Sequence, residues 1–396
     1  MELRLDASKW RKKRGARRLL EALGGDEGLT RYVGGAIRDD LLGLPISDID
    51  LATKIPPEEV MQRLEEARIK AVPTGIDHGT VTAVSDGHPF EITTLRRDVS
   101  TDGRRATVAF TDDWKEDAAR RDFTINALSA DPATGELFDY FGGLEDLQYH
   151  HIRFIGDPLQ RIAEDHLRIL RFFRFHARFG IGEPDKSALE ACTLRSNDLM
   201  ALSRERIADE LLKLLGMPDP SRTVEIMLDR RILRPVLPEI EAQALAALKA
   251  LIAAEREGGV EPNALRRLAA LLPRDELIAE DIGSRLRLSN KSKKRLVCMA
   301  KDDGRLPPRA LAYRVGAECA VDRLLLAGRI PEAGEIASWH APRLPISGGA
   351  LIKRGLPEGP IVAQTLRRIE DRWVDEGFPT GAQFDRIVEE EMRLAA

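Results

Sequence analysis

In the stretch from Arg31 to Thr53, RYVGGAIRDDLLGLPISDIDLAT, two aspartates stand one residue apart, downstream of a glycine pair and an arginine. Residues two apart on a strand share a face, so Asp48 and Asp50 would project side by side with Ile49 turned inward. Carboxylates that close repel one another unless a cation lies between them. Hard oxygen donors of this kind suit magnesium, which takes one or two carboxylates together with substrate phosphates. Gly34 and Gly35 follow the β-like RYV and precede the helical AIRDDLL, an order in which backbone N–H groups and a helix N-terminus face a phosphate. Arg38, one turn into that helix, carries charge-assisted donors for a polyphosphate. In PFEITTL the alternation leaves Glu91 as a third polar carboxylate on a strand. Each feature has a plainer reading: an acidic surface turn, glycines that only make a turn, Arg38 paired with Asp40 or a neighbour, Glu91 facing solvent. Together they describe metal-assisted phosphoryl transfer, with two carboxylate-held ions and no histidine or cysteine nucleophile.

These residues need a scaffold, and the pattern supplies one. Between Thr30 and Tyr140 the β-type runs RYVGG, DIDLAT, GTVTAV, FEITTL and FTINALSA alternate with helical stretches such as PPEEVMQRLEEA, which reads as an α/β head. From Asp157 onward the pattern is helical. Asp157 suits an N-cap, Pro158 the first turn, and Gly156 and Gly180 bracket what reads as one helix. On it Asp165, Arg168, Arg171 and Arg174 recur at intervals of three and share much of one face. A solvated, ion-paired helix would look the same. Leu170, Phe172, Phe173 and Phe175 on that helix read as core. Helical periodicity continues through SRERIADELLKLLG and PNALRRLAALLP to FDRIVEEEMRLAA, with proline and glycine breaks and no fixed repeat.

The bulk properties set limits. A chain of 396 residues is long for one core, so roughly two to four subdomains are expected. The net charge of −4 gives no global basic field, and any nucleic-acid contact must come from local clusters of the 61 lysines and arginines, such as NKSKKR at Asn290 to Arg295. Cys192, Cys298 and Cys319 are widely spaced without a CxxC or Cys/His grouping, which fits a reducing cytoplasm and gives no structural zinc site. No apolar run is long enough to span a membrane. The start, MELRLDASKWRKKRGARRLLEAL, is basic without the apolar core of a secretory signal, and reads as a solvated amphipathic helix, with an organelle transit peptide as the alternative.

The ordered set GG-x-x-RD, DIDLAT, RRDFTINAL at Arg120 to Leu128, and EDHLR at Glu164 to Arg168 resembles the class II tRNA nucleotidyltransferase and bacterial poly(A) polymerase family. The likeness is good over about residues 31–215; beyond that only helicity is recognisable. It implies an α/β, polymerase beta-like head with a small mixed sheet, followed by an all-α neck, body and tail. The divisions are 1–145 for the catalytic head, 146–215 for the neck that recognises the base, and 216–396 for a body and tail that bind tRNA. The resemblance implies magnesium on Asp48 and Asp50, with Glu91 as the third carboxylate. Gly35 and Arg38 lie at the nucleoside triphosphate, Arg121 and Asp122 near the sugar and phosphates, and DYFGGLEDL forms the hinge.

In the same family the EDxxR motif is a protein template for the base, which assigns Asp165 and Arg168. An aspartate accepts from the exocyclic amino group of cytosine or adenine while an arginine donates to the adjacent ring nitrogen. Guanine and uracil present the reverse polarity. Arg171 and Arg174 would then reach phosphates or stack on the base. The implied reaction is addition of C, C and A to the 3′ end of tRNA from CTP and ATP. Poly(A) synthesis and A addition alone are the alternatives, and a decayed, non-catalytic RNA-binding scaffold is a rival that the retained acids oppose. The long charged segment RRDVSTDGRRATVAFTDDWKEDAA resembles the flexible loop of members that add the complete triplet. The absence of an HD dipeptide in the helical part gives no support to an added phosphohydrolase domain.

Overall fold

The structure is a computed structural model that describes residue 5 and residues 14–46, 48–102, 105–301 and 306–395. Most of the basic N-terminal stretch therefore lies outside the described residues. The chain divides into two compact units, one of residues 1–210 with 226–236 and the other of residues 211–225 with 237–396. The head and nearly all of the neck thus belong to one unit.

In the first unit the elements run α1 (Arg14–Ala22), β1 (Thr30–Val33), α2 (Gly35–Leu41), β2 (Asp50–Thr53), α3 (Pro57–Glu66), β3 (Lys70–Gly75), β4 (Thr80–Ser85), β5 (His88–Thr94), β6 (Arg96–Asp102), β7 (Arg105–Phe110), α4 (Trp114–Ala119), β8 (Ser129–Ala130), β9 (Leu137–Phe138) and α5 (Gly143–Gln148). The neck follows as α6 (Pro158–Glu164), α7 (Arg168–Phe179), α8 (Lys186–Leu194) and α9 (Arg204–Leu215). Seven strands form one sheet in the order β3-β4-β5-β2-β1-β8-β9. The β2–β5 pair is parallel and the others are antiparallel, which is the mixed sheet expected.

Alternation decides what this sheet presents. On β4, Val81, Ala83 and Ser85 are buried; on β5, Phe90, Ile92 and Thr94 are buried while Glu91 is exposed. Strands β3 and β4 pack against α3, which opens on Pro57 with Glu58 and Glu59 in its first turn and buries Val60 and Leu64. The opposite face is thereby left for Asp50 and Glu91.

Three local expectations change. FTINALSA is not one strand: Thr124–Asn126 is a 3-10 turn and only Ser129–Ala130 pairs, because the Asp122 carboxylate binds the Phe123 N–H at 2.8 Å and the Asn126 amide at 2.9 Å and curls the segment. The charged segment after Glu91 contains a β-ribbon, β6–β7. The span from Asp157 to Gly180 is two helices. Asp165 adopts extended backbone (φ −152°, ψ 106°) and its carboxylate accepts from Leu167 N at 3.1 Å, a side-chain-to-backbone bond that competes with the helix. Arg168, Arg171 and Arg174 share a helix face, and Asp165 precedes it. Phe172, Phe173 and Phe175 are buried, as read.

The second unit is helical. Ten helices run from Ala244–Glu257 to Ala382–Ala395 among the described residues. Its interior holds an ion network in which Arg266 meets Glu255 and Asp322, both at 2.7 Å, and Arg295 meets Asp322 at 2.6 Å. Arg295, the last residue of the proposed phosphate-contacting cluster, is committed to this network, while Lys291 and Lys294 remain exposed. Cys298 and Cys319, far apart in the sequence, are joined as a disulfide. The helices Asn290–Ala300 and Ala317–Leu326 pack side by side and bring the two Cα atoms to 6.5 Å, a neighbourhood that sequence spacing does not announce. Cys192 is a buried free thiol. Among the described residues no helix is long and apolar enough to cross a membrane.

Candidate active site

A cleft of about 400 Å³ opens where the end of β1, the start of β2, the turn after α4 and the α6–α7 break converge. Gly34, Gly35, Arg38, Asp50, Arg121, Asp122, Asp165, Arg168 and Arg171 line it, joined by Asn126 and Phe175. Residues more than a hundred positions apart thus share one cavity. Glu91, Asp48 and Arg174 do not line it.

Glu91 is nevertheless beside the acids, since the parallel pairing sets Asp50 directly opposite it. Asp48 is exposed ahead of β2, with Ile49 buried between it and Asp50. Asp50 has its carboxyl pushed up to about 6, first by burial and then by the negative charge of Glu91, with Arg121 opposing and Asp48 adding a smaller push. Among the described residues no three His, Cys, Asp or Glu side chains form a ready metal cage. The donor set still fits magnesium: carboxylates crowded with like charge gain most from a divalent cation, which draws its other ligands from substrate phosphates and water.

Gly34 sits at φ 73°, a left-handed backbone that favours glycine, and a Cβ there would lie 3.0 Å from Arg121 Nη1. Its N–H donates to Leu128 O at 3.1 Å, so Gly34 is not a phosphate donor and its contribution is close approach. Arg38 is buried and pairs with its neighbour Asp39 through Nε at 2.8 Å and Nη2 at 2.7 Å. Its Nη1 donates to Asn126 Oδ1, and its guanidinium lies 4.4 Å over the Phe179 ring. By contrast Arg121 makes only long contacts, 3.5 Å to Asp117 and 3.4 Å to Asn126 O.

Towards the neck, the acids Asp122, Glu210 and Asp165 are each matched to a cation. Asp122 accepts from Arg171 Nη2 at 2.6 Å; although burial works to raise its carboxyl, Arg171, Asn126 and the Phe123 N–H hold it below the usual range. Arg174 binds Glu210 at 2.6 Å and lies 4.6 Å over the ring of Phe175, which itself lines the cleft. Asp165 accepts from Arg206 at 2.7 Å and keeps lone pairs for a further donor. Arg168 donates to Arg161 O at 2.8 Å, to Arg120 O at 3.3 Å and to Glu164. The sequence reading missed Asn126, Arg206 and Glu210. The available signals were Asn126 four residues after Asp122, and the Arg206/Glu210 pair four apart on α9.

Residues 30–153 match the family described as "Poly A polymerase head domain", and residues 183–244 that described as "Probable RNA and SrmB- binding site of polymerase A". Over 376 residues, 88% of this chain and 83% of the relative, the sequence is 34% identical to CCA tRNA nucleotidyltransferase 1, mitochondrial, of Homo sapiens. This chain belongs to the CCA-adding tRNA nucleotidyltransferase family. The CCA-adding enzyme of Lacticaseibacillus paracasei is 31% identical over 360 residues, 88% of each chain. The crystal structure of Bacillus stearothermophilus CCA-adding enzyme in complex with CTP is similar at 25% identity and a TM-score of 0.72, covering 96% of this chain and 99% of that one. Membership in this CCA-adding family carries magnesium-dependent nucleotidyl transfer with it.

Proposed function

We propose that this protein adds C, C and A in turn to the 3′ end of tRNA, taking CTP and ATP without a nucleic-acid template. The observation that carries this reading is the single cleft that holds the Asp50 end of the head and the Asp165/Arg168 pair of the neck together. In the reaction the tRNA 3′-hydroxyl oxygen bonds to the α-phosphorus as the bond to pyrophosphate breaks. Magnesium, when bound, supplies positive charge at the attacking and leaving oxygens, and Asp48 and Asp50 are the residues proposed to hold it, as two ions during turnover. Glu91 adds negative charge beside them. Arg121 is proposed to face the triphosphate, Gly34 and Gly35 to let it approach the backbone, and Arg38 and Asp122 to fix that wall of the site.

Asp165 is proposed to accept the exocyclic amino group of C or A while Arg168 donates to the adjacent ring nitrogen. Guanine and uracil would leave both unpaired, at a cost of about 1–3 kcal/mol per group. Arg171 and Arg174 act in this reading by holding Asp122, Glu210 and the α7 face in place. The division of labour proposed is head 1–145, neck 146–215, and body with tail 216–396 as the tRNA-binding part. The place of work proposed is the cytoplasm, and recovery of the native chain in an organelle fraction would overturn that placement.

The test supplies purified protein with tRNAs ending before the first C, after CC and after CCA, with each labelled nucleotide and magnesium. Incorporation of C, C and A that then stops is expected. A long A homopolymer on any RNA would replace this reading with poly(A) synthesis, and A transfer only onto tRNA ending in CC would reduce it to A addition.

A further inference from the structure

Arg161 has no part in the proposed reaction and does not line the cleft, yet its guanidinium binds two main-chain carbonyls and a carboxylate behind it. It lies on α6 and is 8% exposed. Its Nη2 donates to Arg120 O at 2.6 Å and also to Arg121 O, and its Nη1 donates to Glu164. Glu164 accepts in addition from Arg168, whose Nη2 reaches the same Arg120 carbonyl at 3.3 Å. Two guanidinium groups therefore share one carboxylate and one peptide oxygen. One of them belongs to the residue assigned to the base; the other holds the backbone of the residue assigned to the triphosphate.

The hold is on main-chain carbonyls, so it fixes the path of residues 120–122 whatever the Arg121 side chain does at its tip. The planar fork of an arginine can span two neighbouring carbonyls and a carboxylate at once, which a lysine ammonium cannot reproduce in that geometry. A base that presents an N–H towards Arg168 opposes its donors and pushes it off Glu164. Glu164 is the shared partner of Arg161, and the grip on the Arg120 and Arg121 carbonyls loosens with it.

We propose that Arg161 is a positioning residue that couples base reading at Arg168 to the placement of Arg121 at the triphosphate, so that a wrong base is rejected in the rate of transfer more than in nucleotide affinity. The inference rests on the roles proposed above for Arg168 and Arg121.

The experiment compares full-length wild type, Arg161→Lys, Arg161→Met and Arg168→Met for kcat and KM with CTP and UTP on tRNA ending before the first C, alongside thermal midpoints. Arg161→Lys is expected to keep the wild-type midpoint and to lose about tenfold in CTP-over-UTP preference, mostly through a lower kcat for CTP. A well-folded Arg161→Lys with wild-type preference, or a loss confined to KM, would overturn the coupling alone. Unchanged preference in Arg168→Met would overturn the base-reading role and the coupling with it.

Because a buried arginine is replaced, amide exchange on the unaltered protein gives a second route. CTP should slow exchange in residues 117–126 and 161–171 together and UTP in neither. Slowing of one segment without the other contradicts the proposal.

Discussion

The two sides of the cleft are built on opposite electrostatic plans. On the head side Asp50 faces Glu91 across a parallel strand pair with Asp48 nearby, and like charge and burial lift the Asp50 carboxyl to about 6. Where the head meets the neck Asp122 is matched to Arg171 of the neck, and within the neck Glu210 is matched to Arg174 and Asp165 to Arg206. In the function proposed above, the head side receives a cation and a polyphosphate, and its unbalanced charge is what they would complete. The side proposed to distinguish hydrogen-bond polarity is tied by internal pairs, which would keep a mismatch from being accommodated by swinging a side chain.

Substitutions that break one plan should leave the other intact. The largest effect expected is on transfer: Asp50→Ala should lower single-turnover incorporation on the order of 10³-fold or more with folding preserved, as read by quench-flow and circular dichroism. Next comes Asp122→Asn, which removes the carboxylate that Arg171 serves; denaturant unfolding should show a loss of about 2–3 kcal/mol at neutral pH. The Asp122 carboxyl titrates below its ordinary 3.8, so the wild-type advantage is present above that value and should disappear as pH falls through the lower folded value.

The opposite sign is expected in the head. In metal-free buffer at neutral pH, Asp50→Asn should stabilise the fold by about 1–2 kcal/mol, because ionising a carboxyl raised from 3.8 to about 6 works against folding. That gain should be absent below pH 3.8 and grow until pH passes about 6. Equal signs for Asp50→Asn and Asp122→Asn would dissolve the contrast. Asp165→Ala should relax C and A over U and G by roughly tenfold in competition assays while transfer continues. The smallest effect is the control: Arg17→Ala, which breaks the exposed pair with Glu21, should change stability by less than about 0.5 kcal/mol.

The head side was legible in the sequence because its signals are short in range. Alternation put Ile49 inside and Glu91 outside, and both positions hold in the structure. The positive φ of Gly34 answers to its glycine, although its N–H is spent on Leu128 and not on a ligand. The family motifs led to Arg121, Asp122, Asp165 and Arg168, which share the cleft.

What stayed hidden depends on partners distant in the chain or on local competition. Asp165 breaks the helix by binding a backbone N–H two residues on, and no proline or glycine marks the place. Arg206, Glu210 and Asn126 acquire meaning only through partners distant in the chain, Asp165, Arg174 and Arg38 in turn, and Arg174, which the sequence places at phosphates or the base, forms an ion pair with Glu210. The Cys298–Cys319 pair required knowing which helices are neighbours.

The most direct test of divided chemistry and specificity is to measure, for Asp50→Ala and Asp165→Ala side by side, both equilibrium binding and single-turnover transfer of CTP and UTP on tRNA ending before the first C. The account predicts that Asp50→Ala abolishes transfer of both nucleotides while still binding CTP better than UTP, and that Asp165→Ala transfers both with the preference lost. Transfer retained by Asp50→Ala, or undiminished CTP preference in Asp165→Ala, would contradict it.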